Sequence, residues 1–452
     1  MFQKVLVANR GEIAVRIIRA CKQMNIRTVA IYSEVDQNSL HVQIADEAVC
    51  VGSAKSSDSY LHMENIISAA IGTHSEAIHP GFGFLSENAE FSELCETVGL
   101  HFIGPSGTVI RKMGNKSQAR QTMIDAGVPV VPGSDGVIET YDELTRLVEK
   151  IGYPILIKAS SGGGGKGMRV VKHKDELKNG YFGAKNEAKS AFLDDSVYVE
   201  KFIENPKHIE IQVLADKYGH TIHLGERDCS IQRRNQKVVE ECPALISEDL
   251  RQKMTTSAVK AAKAVHYENA GTIEFLVSGN KYYFIEMNTR IQVEHPITEM
   301  VSNVDLIKEQ ISIASGEALT IQQSDVIMTG HAIECRINAE DPSHQYRPSP
   351  GEVTLLHVPG GFGVRFDSFL YTNYHVSPYY DSLIGKLIVH DKTRAEAIRK
   401  MQVALDELVI KGFNHNRAFC KKIVSHSSFI KGAFDTSFIE QHFDQLVGDL
   451  IE

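Results

Sequence analysis

The stretch GYPILIKASSGGGGKGMRVVK (152–172) sets four consecutive glycines between two apolar runs. A glycine loop has little side chain to pack, but its bare backbone amides can approach an anion closely. A Walker A loop needs GxxxxGK followed by Ser or Thr. Here Lys166 is followed by Gly167, and Ser160 stands where the first glycine belongs, so that type is excluded. Gly162, Gly164 and Gly167 satisfy GxGxxG, yet a dinucleotide loop opens a helix whose N-terminus holds the phosphate. This loop opens MRVVK, which is short, β-branched and strand-like. Strand–loop–strand is the geometry of a flap over phosphates, as in the kinase glycine loop. Lys158 and Lys166 favour that reading over a plain flexible hairpin.

N-terminal to the loop, KVLVAN (4–9) is a short apolar strand, followed by GEIAVRIIRACKQM (11–24). In the latter Ile13, Ala14, Ile17, Ile18 and Cys21 share one helical face, with Arg16 and Arg19 outside it. Asn25 can end that helix in a left-handed turn, and RTVAIYS (27–33) returns as a parallel strand. Further short strands (EAVCVG, EAIHPG, HFIGPS) and helices at about 57–70 and 88–98 make residues 1–113 a Rossmann-like, doubly wound α/β domain. Its first turn, ANRGEIA, carries one glycine, so dinucleotide binding there is not supplied. Beyond the loop, helices are predicted over 175–192 and 248–267, and strands in VYVEKFI, KHIEIQVLAD, GTIEFLV and YYFIEMN. A third region starts near 329, with strands GHAIECRIN, GEVTLLHV and GVRFDSFL and a helix over 393–408.

The chain of 452 residues suggests about two to four domains. Its apolar content of 42% can bury a large core. A formal net charge of −9 argues against a general nucleic-acid binder. Seven scattered cysteines with no CxxC pair fit a reducing compartment. The sequence holds no signal peptide and no apolar run of about 18 residues, so no membrane span is predicted and a cytoplasmic protein is expected. No HExxH or paired-cysteine spacing indicates zinc.

ATP chemistry needs Mg2+, a hard cation held by carboxylates and phosphate oxygens. Glu274, and Glu286 with Asn288, lie on two strands flanking a turn at 278–280. A three-residue turn at 279–281 pairs Glu274 directly with Glu286, a like-charge contact that a divalent cation would offset. A two-residue turn instead sets them on opposite faces and weakens the metal reading. From Glu286 every second residue is polar: Glu286, Asn288, Arg290, Gln292, Glu294. If extended, this is one row of metal ligand, cation, amide and carboxylate, or else an amphipathic edge strand. An arginine fork suits a small planar oxyanion, and a tuned carboxylate can act as a base. GERDCSIQRRNQKVVEECP (225–243) is either a solvated loop or an anion site with Lys237 entering a strand. Cys229 within it is either a reactive thiol or a buried spectator, the latter favoured in the absence of any motif.

Five strings in one order, HPGFGFLSEN (79–88), KASSGGGGKGM (158–168), HIEIQVLAD (208–216), ERDCSIQRRNQKVVEE (226–241) and FIEMNTRIQVEHPITEM (284–300), resemble biotin carboxylases of the ATP-grasp superfamily. The resemblance covers essentially the whole chain, from VLVANRGEIA (5–14) to YYDSLIGKLI (379–388). It implies an N-terminal α/β domain (1–113), an ATP-grasp core (114–330) with a glycine-rich lid at about 131–202, and a C-terminal α+β domain (331–452). It implies ATP contacts at Lys116, Lys158, Gly163, Gly164, Gly165, Met168, Glu200, Lys201, Ile203, His208, Gln232 and Leu276, with adenine read mainly by backbone at 200–203. Mg2+ or Mn2+ would be held by Glu274, Glu286 and Asn288. Bicarbonate would be held by Lys237, Arg290, Gln292, Val293 and Glu294, and the biotin ureido oxygen would face Arg336. Arg290, Glu294, Lys237 and Arg336 would carry catalysis. The implied ligase reaction runs through carboxyphosphate to carboxybiotin, ADP and phosphate, the first half-reaction of acetyl-CoA carboxylase in fatty acid synthesis. The biotinylation motif Ala-Met-Lys-Met is missing, so the biotin carboxyl carrier protein and carboxyltransferase are expected on separate chains, with the carboxylase a homodimer. A pyruvate or other acyl-CoA carboxylase, another ATP-grasp ligase, and a non-catalytic nucleotide sensor are the alternatives. The family often has Tyr where Phe82 stands and His where Asn235 stands, which leaves details of the biotin and ATP pockets open.

Overall fold

The computed structural model describes residues 1–160 and 167–448. The N-terminal part is a parallel five-stranded sheet of β1 (Lys4–Val7), β2 (Arg27–Ser33), β3 (Glu47–Gly52), β4 (Ala77–His79) and β5 (His101–Phe102), ordered β3-β2-β1-β4-β5. The helix Gly11–Gln23 follows β1, and Asn25 takes the left-handed turn (φ 59°) that ends it. Its predicted apolar face is fully buried, against both this sheet and the helix Leu306–Ala314. Each buried isoleucine stabilises the fold by roughly 1.5–3 kcal/mol. Arg19 is exposed, but Arg16 pairs with Glu299 and Asp305 of the next part, so one polar residue off the apolar face ties two units together.

The strands on either side of the glycine stretch belong to a separate three-stranded antiparallel sheet: β6 (Ile155–Ala159), β7 (Met168–Val171) and β8 (Val197–Lys201), ordered β7-β6-β8. Helices Tyr141–Ile151 and Leu177–Phe192 supply its own core, with Leu144, Val148, Ile157, Leu177 and Val199 buried. A unit with its own core can move as one body about its chain connections.

The rest is organised on one antiparallel sheet of eight strands. These are β9 (Lys207–Ala215), β10 (Thr221–Arg233), β11 (Gln236–Cys242), β12 (Asn269–Ser278), β13 (Lys281–Asn288), β14 (His331–Asn338), β15 (Val364–Ser368) and β16 (Leu383–Asp391). Their order is β13-β12-β9-β10-β11-β14-β16-β15, so the sheet runs without a break across residue 330. Among the described residues no helix is long and apolar enough to cross a membrane.

Three local expectations change. The helix predicted from 57 begins at Met63 instead, where the His62 side chain caps Asn65 N–H, and a single 3-10 turn occupies Ser56–Asp58. The polar stretch 225–243 is not a solvated loop. It is the β10–β11 hairpin, turning at Arg234 and Asn235 with φ 49° and 63°, the two left-handed residues that a tight hairpin needs. The alternating row from Glu286 is extended only to Asn288. A loop follows, and a helix begins at His295.

Candidate active site

The lid, the eight-stranded sheet and the segments 9–13 and 82–84 of the N-terminal part line a cavity of about 1510 Å³. That exceeds the roughly 300–1,000 Å³ of a single small-molecule pocket, leaving room for more than one substrate. Of the residues expected from sequence, Lys158, Met168, Glu200, Lys201, Ile203, His208, Gln232, Leu276, Glu274, Glu286, Asn288, Lys237, Arg290, Gln292, Val293 and Arg336 all line it. Glu294 lies just behind the wall with none of its side chain exposed. Lys116 reaches in from the first turn of the helix Lys116–Asp125, 3.9 Å from Glu286. Gly163, Gly164 and Gly165 lie outside the described residues, as do Gly162 and Lys166.

At the lid end, cross-strand pairing of β6 and β8 brings Lys158 Nζ to 2.5 Å from Glu200 Oε2. Arg120 sits 3.3 Å from the other oxygen. Burial alone would lower the Lys158 pKa, but Glu200 outweighs it and raises it, so this ammonium stays charged. The N–H groups of Lys201 and Phe202 donate to Pro132 O and Pro154 O. Among the described residues the Ile203 N–H has no acceptor, which makes it the free backbone donor of this segment. The Lys201 ammonium is likewise committed, to Gly152 O and Tyr153 O.

The carboxylates come together by a route that the turn length alone does not predict. Ser278 pairs with Lys281, so the turn is the two residues Gly279 and Asn280. That would set Glu274 and Glu286 on opposite faces, but Ile285 bulges out of β13 and restores the register, so Glu274 faces Glu286 directly. Burial first, and then the Glu274 charge, raise the Glu286 pKa. Glu274 itself is held well below the ordinary range. Burial opposes this, but Lys237 at 2.9 Å and His208 at 3.0 Å prevail. The His208 pKa is raised in turn: burial lowers it and Glu274 outweighs that. Two facing carboxylates, one of them anchored and the other partly exposed, form the hard oxygen donor set that suits Mg2+. Asn288 directs its amide nitrogen at Glu274 and its oxygen at Arg290.

The deepest part centres on Lys237, whose ammonium contacts Glu210 (2.5 Å), Glu274 (2.9 Å) and Glu294 (2.6 Å). Burial disfavours its charge, but the three carboxylates raise its pKa well above normal. His208, Glu210 and Glu274 present donor atoms within 4.8 Å of one another, but this ammonium already supplies their positive charge. Glu294 is gripped from both sides, by Lys237 on Oε1 and by Arg336 at 2.9 Å on Oε2. Against burial, these cations hold it well below the carboxylate range. Arg336 also donates to Glu240 at 2.6 Å. Arg290 is braced through Glu87 (2.9 Å), Asn288 (3.1 Å) and Gln292 (3.0 Å), so the polar row converges through a folded loop rather than along a strand.

Several contributors escape the sequence reading. Arg227 is fully buried and donates to Glu210, Gln212, Thr298 and Thr272, fixing the carboxylate that shares Lys237. The signal available was Glu210 and Gln212 alternating within the otherwise apolar strand HIEIQVLA. Glu87 and Glu240 carry no comparable signal. Cys229 is a buried spectator: burial pushes its thiol up, and its Sγ rests 3.8 Å from Glu294.

A small separate sheet carrying Lys158 and Glu200, set across one cavity from paired carboxylates of a larger sheet, is the arrangement of an ATP-grasp enzyme. Residues 1–110, 115–322 and 334–441 match the models for the biotin carboxylase N-terminal domain, the carbamoyl-phosphate synthase L chain ATP-binding domain and the biotin carboxylase C-terminal domain. The chain is 57% identical to biotin carboxylase 1 of Bacillus subtilis, covering 98% of this chain and 99% of that protein. It is 51% identical to a pyruvate carboxylase subunit of Methanothermobacter thermautotrophicus, covering 98% and 90%. The crystal structure of the biotin carboxylase domain dimer of Hydrogenobacter thermophilus 2-oxoglutarate carboxylase, in complex with MgADP, ADP and bicarbonate, superposes with a TM-score of 0.93 at 50% identity, covering 99% of each chain. The chain belongs to the biotin carboxylase family, and it is a ligase.

Proposed function

We propose that the chain carboxylates biotin on a biotin carboxyl carrier protein, using ATP and bicarbonate. The observation that carries this is Glu294, buried and gripped by Lys237 and Arg336, which both line the cavity that Lys158 also lines. In this reading the Ile203 N–H reads the adenine edge, and Lys158, Lys116 and His208 take the phosphates and ribose. Glu274 and Glu286 hold Mg2+, with Asn288 beside them, and the ion when bound neutralises charge on the phosphoryl oxygens.

Bicarbonate fits between Lys237, Arg290, Gln292 and the Val293 backbone. A carboxylate held well below its ordinary range is a weak base. When bicarbonate takes a share of the Lys237 ammonium, Glu294 loses part of that grip and gains basicity. It then removes the bicarbonate proton, and the resulting oxyanion attacks the γ-phosphate to give carboxyphosphate and ADP. Carboxyphosphate splits to carbon dioxide and phosphate. Phosphate accepts the ureido proton while Arg336 stabilises the enolate-like oxygen, and the ureido nitrogen captures carbon dioxide. Lid closure keeps water from the intermediate.

The units of this reading are residues 1–113, 114–330 and 331–452, with the lid at about 131–202. The last two share one sheet, so the lid is the part free to move against them. Homodimerisation and a separate carboxyltransferase belong to the same reading, with acetyl-CoA carboxylase as the assembly it serves and the cytoplasm as its location. ADP release measured with and without bicarbonate and free biotin tests it. Release should need bicarbonate and rise with biotin, and indifference to both would refute it.

A further inference from the structure

Lys386 sits in the middle of β16, in the apolar run LIGKLIVH, with none of its side chain exposed. A lysine ammonium is strongly hydrated, and burying one without compensation is costly. Two direct contacts compensate it here, with the buried carboxyls of Glu334 and Asp367 nearby. Its Nζ donates to Val293 O at 2.8 Å, and it lies 3.0 Å from Glu12 Oε1. Glu12 stands at the start of the helix Gly11–Gln23 and is buried, and neither of its oxygens has a hydrogen bond to any other described residue. The ammonium therefore ties three parts of the chain at one point: the first helix of the N-terminal domain, a C-terminal strand and the loop between Arg290 and Glu294.

We propose that Lys386 is a positioning residue for bicarbonate, fixing the Val293–Glu294 peptide from behind the cavity wall. The proposal rests on the assignment of that loop to bicarbonate given above. A peptide unit is planar and trans. Holding the Val293 carbonyl therefore sets the plane of the whole unit and the direction in which the chain enters Glu294. The other atoms of the loop are braced from the cavity side, through Arg290, Gln292 and Glu87. Lys386 supplies the brace from the opposite side. Glu294 spends its side chain on Lys237 and Arg336, and makes no cap hydrogen bond to the helix His295–Ser302 that it precedes. Short backbone bonds (His295 N–H to Gln292 O, Ile297 N–H to Glu294 O, both 3.3 Å) hold the turn into that helix, and the Val293 carbonyl contact adds the tie from this loop to β16.

The competing role for Lys386 is simple charge balance for Glu12, and a double substitution separates the two. Lys386→Met together with Glu12→Gln removes this pair of charges and leaves Val293 O without its donor, while Asp367 keeps Arg365 and the burial-raised pKa of Glu334 favours its neutral form. The double variant should fold, with an apparent KM for bicarbonate roughly tenfold higher and a KM for ATP within about twofold of wild type. Glu12→Gln alone keeps the donor on Val293 O and should raise the bicarbonate KM far less. A folded double variant with the wild-type bicarbonate KM would overturn the proposal. So would Glu12→Gln alone raising that KM about tenfold, a result that can be read whether or not the double variant folds. Wild-type ADP release that ignores bicarbonate would instead refute the functional assignment on which the proposal rests.

Discussion

Glu294→Gln isolates the base from the architecture around it. Glu294 is fully buried, and its two oxygens face two cations at 2.6 and 2.9 Å. Breaking a buried ion pair by removing one partner ordinarily costs about 3–5 kcal/mol, because a charge is left unpaired. Here neither cation is stranded. Lys237 keeps Glu210 and Glu274, and Arg336 keeps Glu240 at 2.6 Å. The amide also retains one oxygen acceptor for one of the two cations. The loss of stability should therefore be nearer the roughly 1–3 kcal/mol of a lost charged hydrogen bond. Loss of a general base lowers turnover by roughly 10²–10⁴-fold. Denaturant unfolding of the variant beside wild type, together with steady-state ADP release at saturating ATP and bicarbonate, measures both. A folded variant turning over within about threefold of wild type would refute the assignment of Glu294 as base.

Glu286→Gln removes a partly exposed carboxylate that faces Glu274 directly. The substitution should leave unfolding unchanged or slightly harder while raising the Mg2+ concentration needed for half-maximal ADP release more than about tenfold, since it removes one of roughly two carboxylate ligands. The His208 pKa is raised by Glu274 against burial. Its ion pair therefore stabilises the fold fully below the ordinary histidine pKa, and that contribution is lost as pH rises through the raised value. In nucleotide-free thermal melts, the gap between wild type and His208→Asn should accordingly shrink from acidic to alkaline pH. Gly167 holds φ 71°, and a Cβ there would meet Ala159 Cβ at 2.9 Å, at the mouth of the glycine stretch. Gly167→Ala should weaken ATP binding in calorimetry with a smaller effect on global unfolding, because the lid has its own core. Arg336→Met should keep bicarbonate-dependent ADP release while losing the rise with free biotin.

Periodicity made the first helix legible, because Ile13, Ile17 and Ile18 bury one continuous face and nothing tertiary opposes it. The order of the motifs carried the family. Geometry that depends on one inserted residue was not legible: turn length alone misplaces Glu286, and only the bulge at Ile285 restores it. The polar row 286–294 also misleads, since period-two alternation reads as strand. Here the alternate side chains meet because the loop curls them around Glu274 and Glu87. Lys386 was hidden as a single charge in the apolar run LIGKLIV, and Arg227 and Glu210 because their partners lie on other strands and on the helix His295–Ser302. Asn235 sits at the tip of a hairpin that needs left-handed residues, a position Asn tolerates. The backbone thus accommodates that departure from the family, and Phe82 still lines the cavity, with Lys386 Nζ 6.0 Å from its ring centre.

Carbon from bicarbonate should reach biotin at the cost of ATP, and isotopically labelled bicarbonate tests this most directly. Incubated with the purified chain, ATP, Mg2+ and free biotin, the label should appear in carboxybiotin. It should vanish when ATP is omitted, and be lost in Glu294→Gln and Arg336→Met alike. ADP released without label entering biotin, or label entering biotin without ATP, would contradict the account.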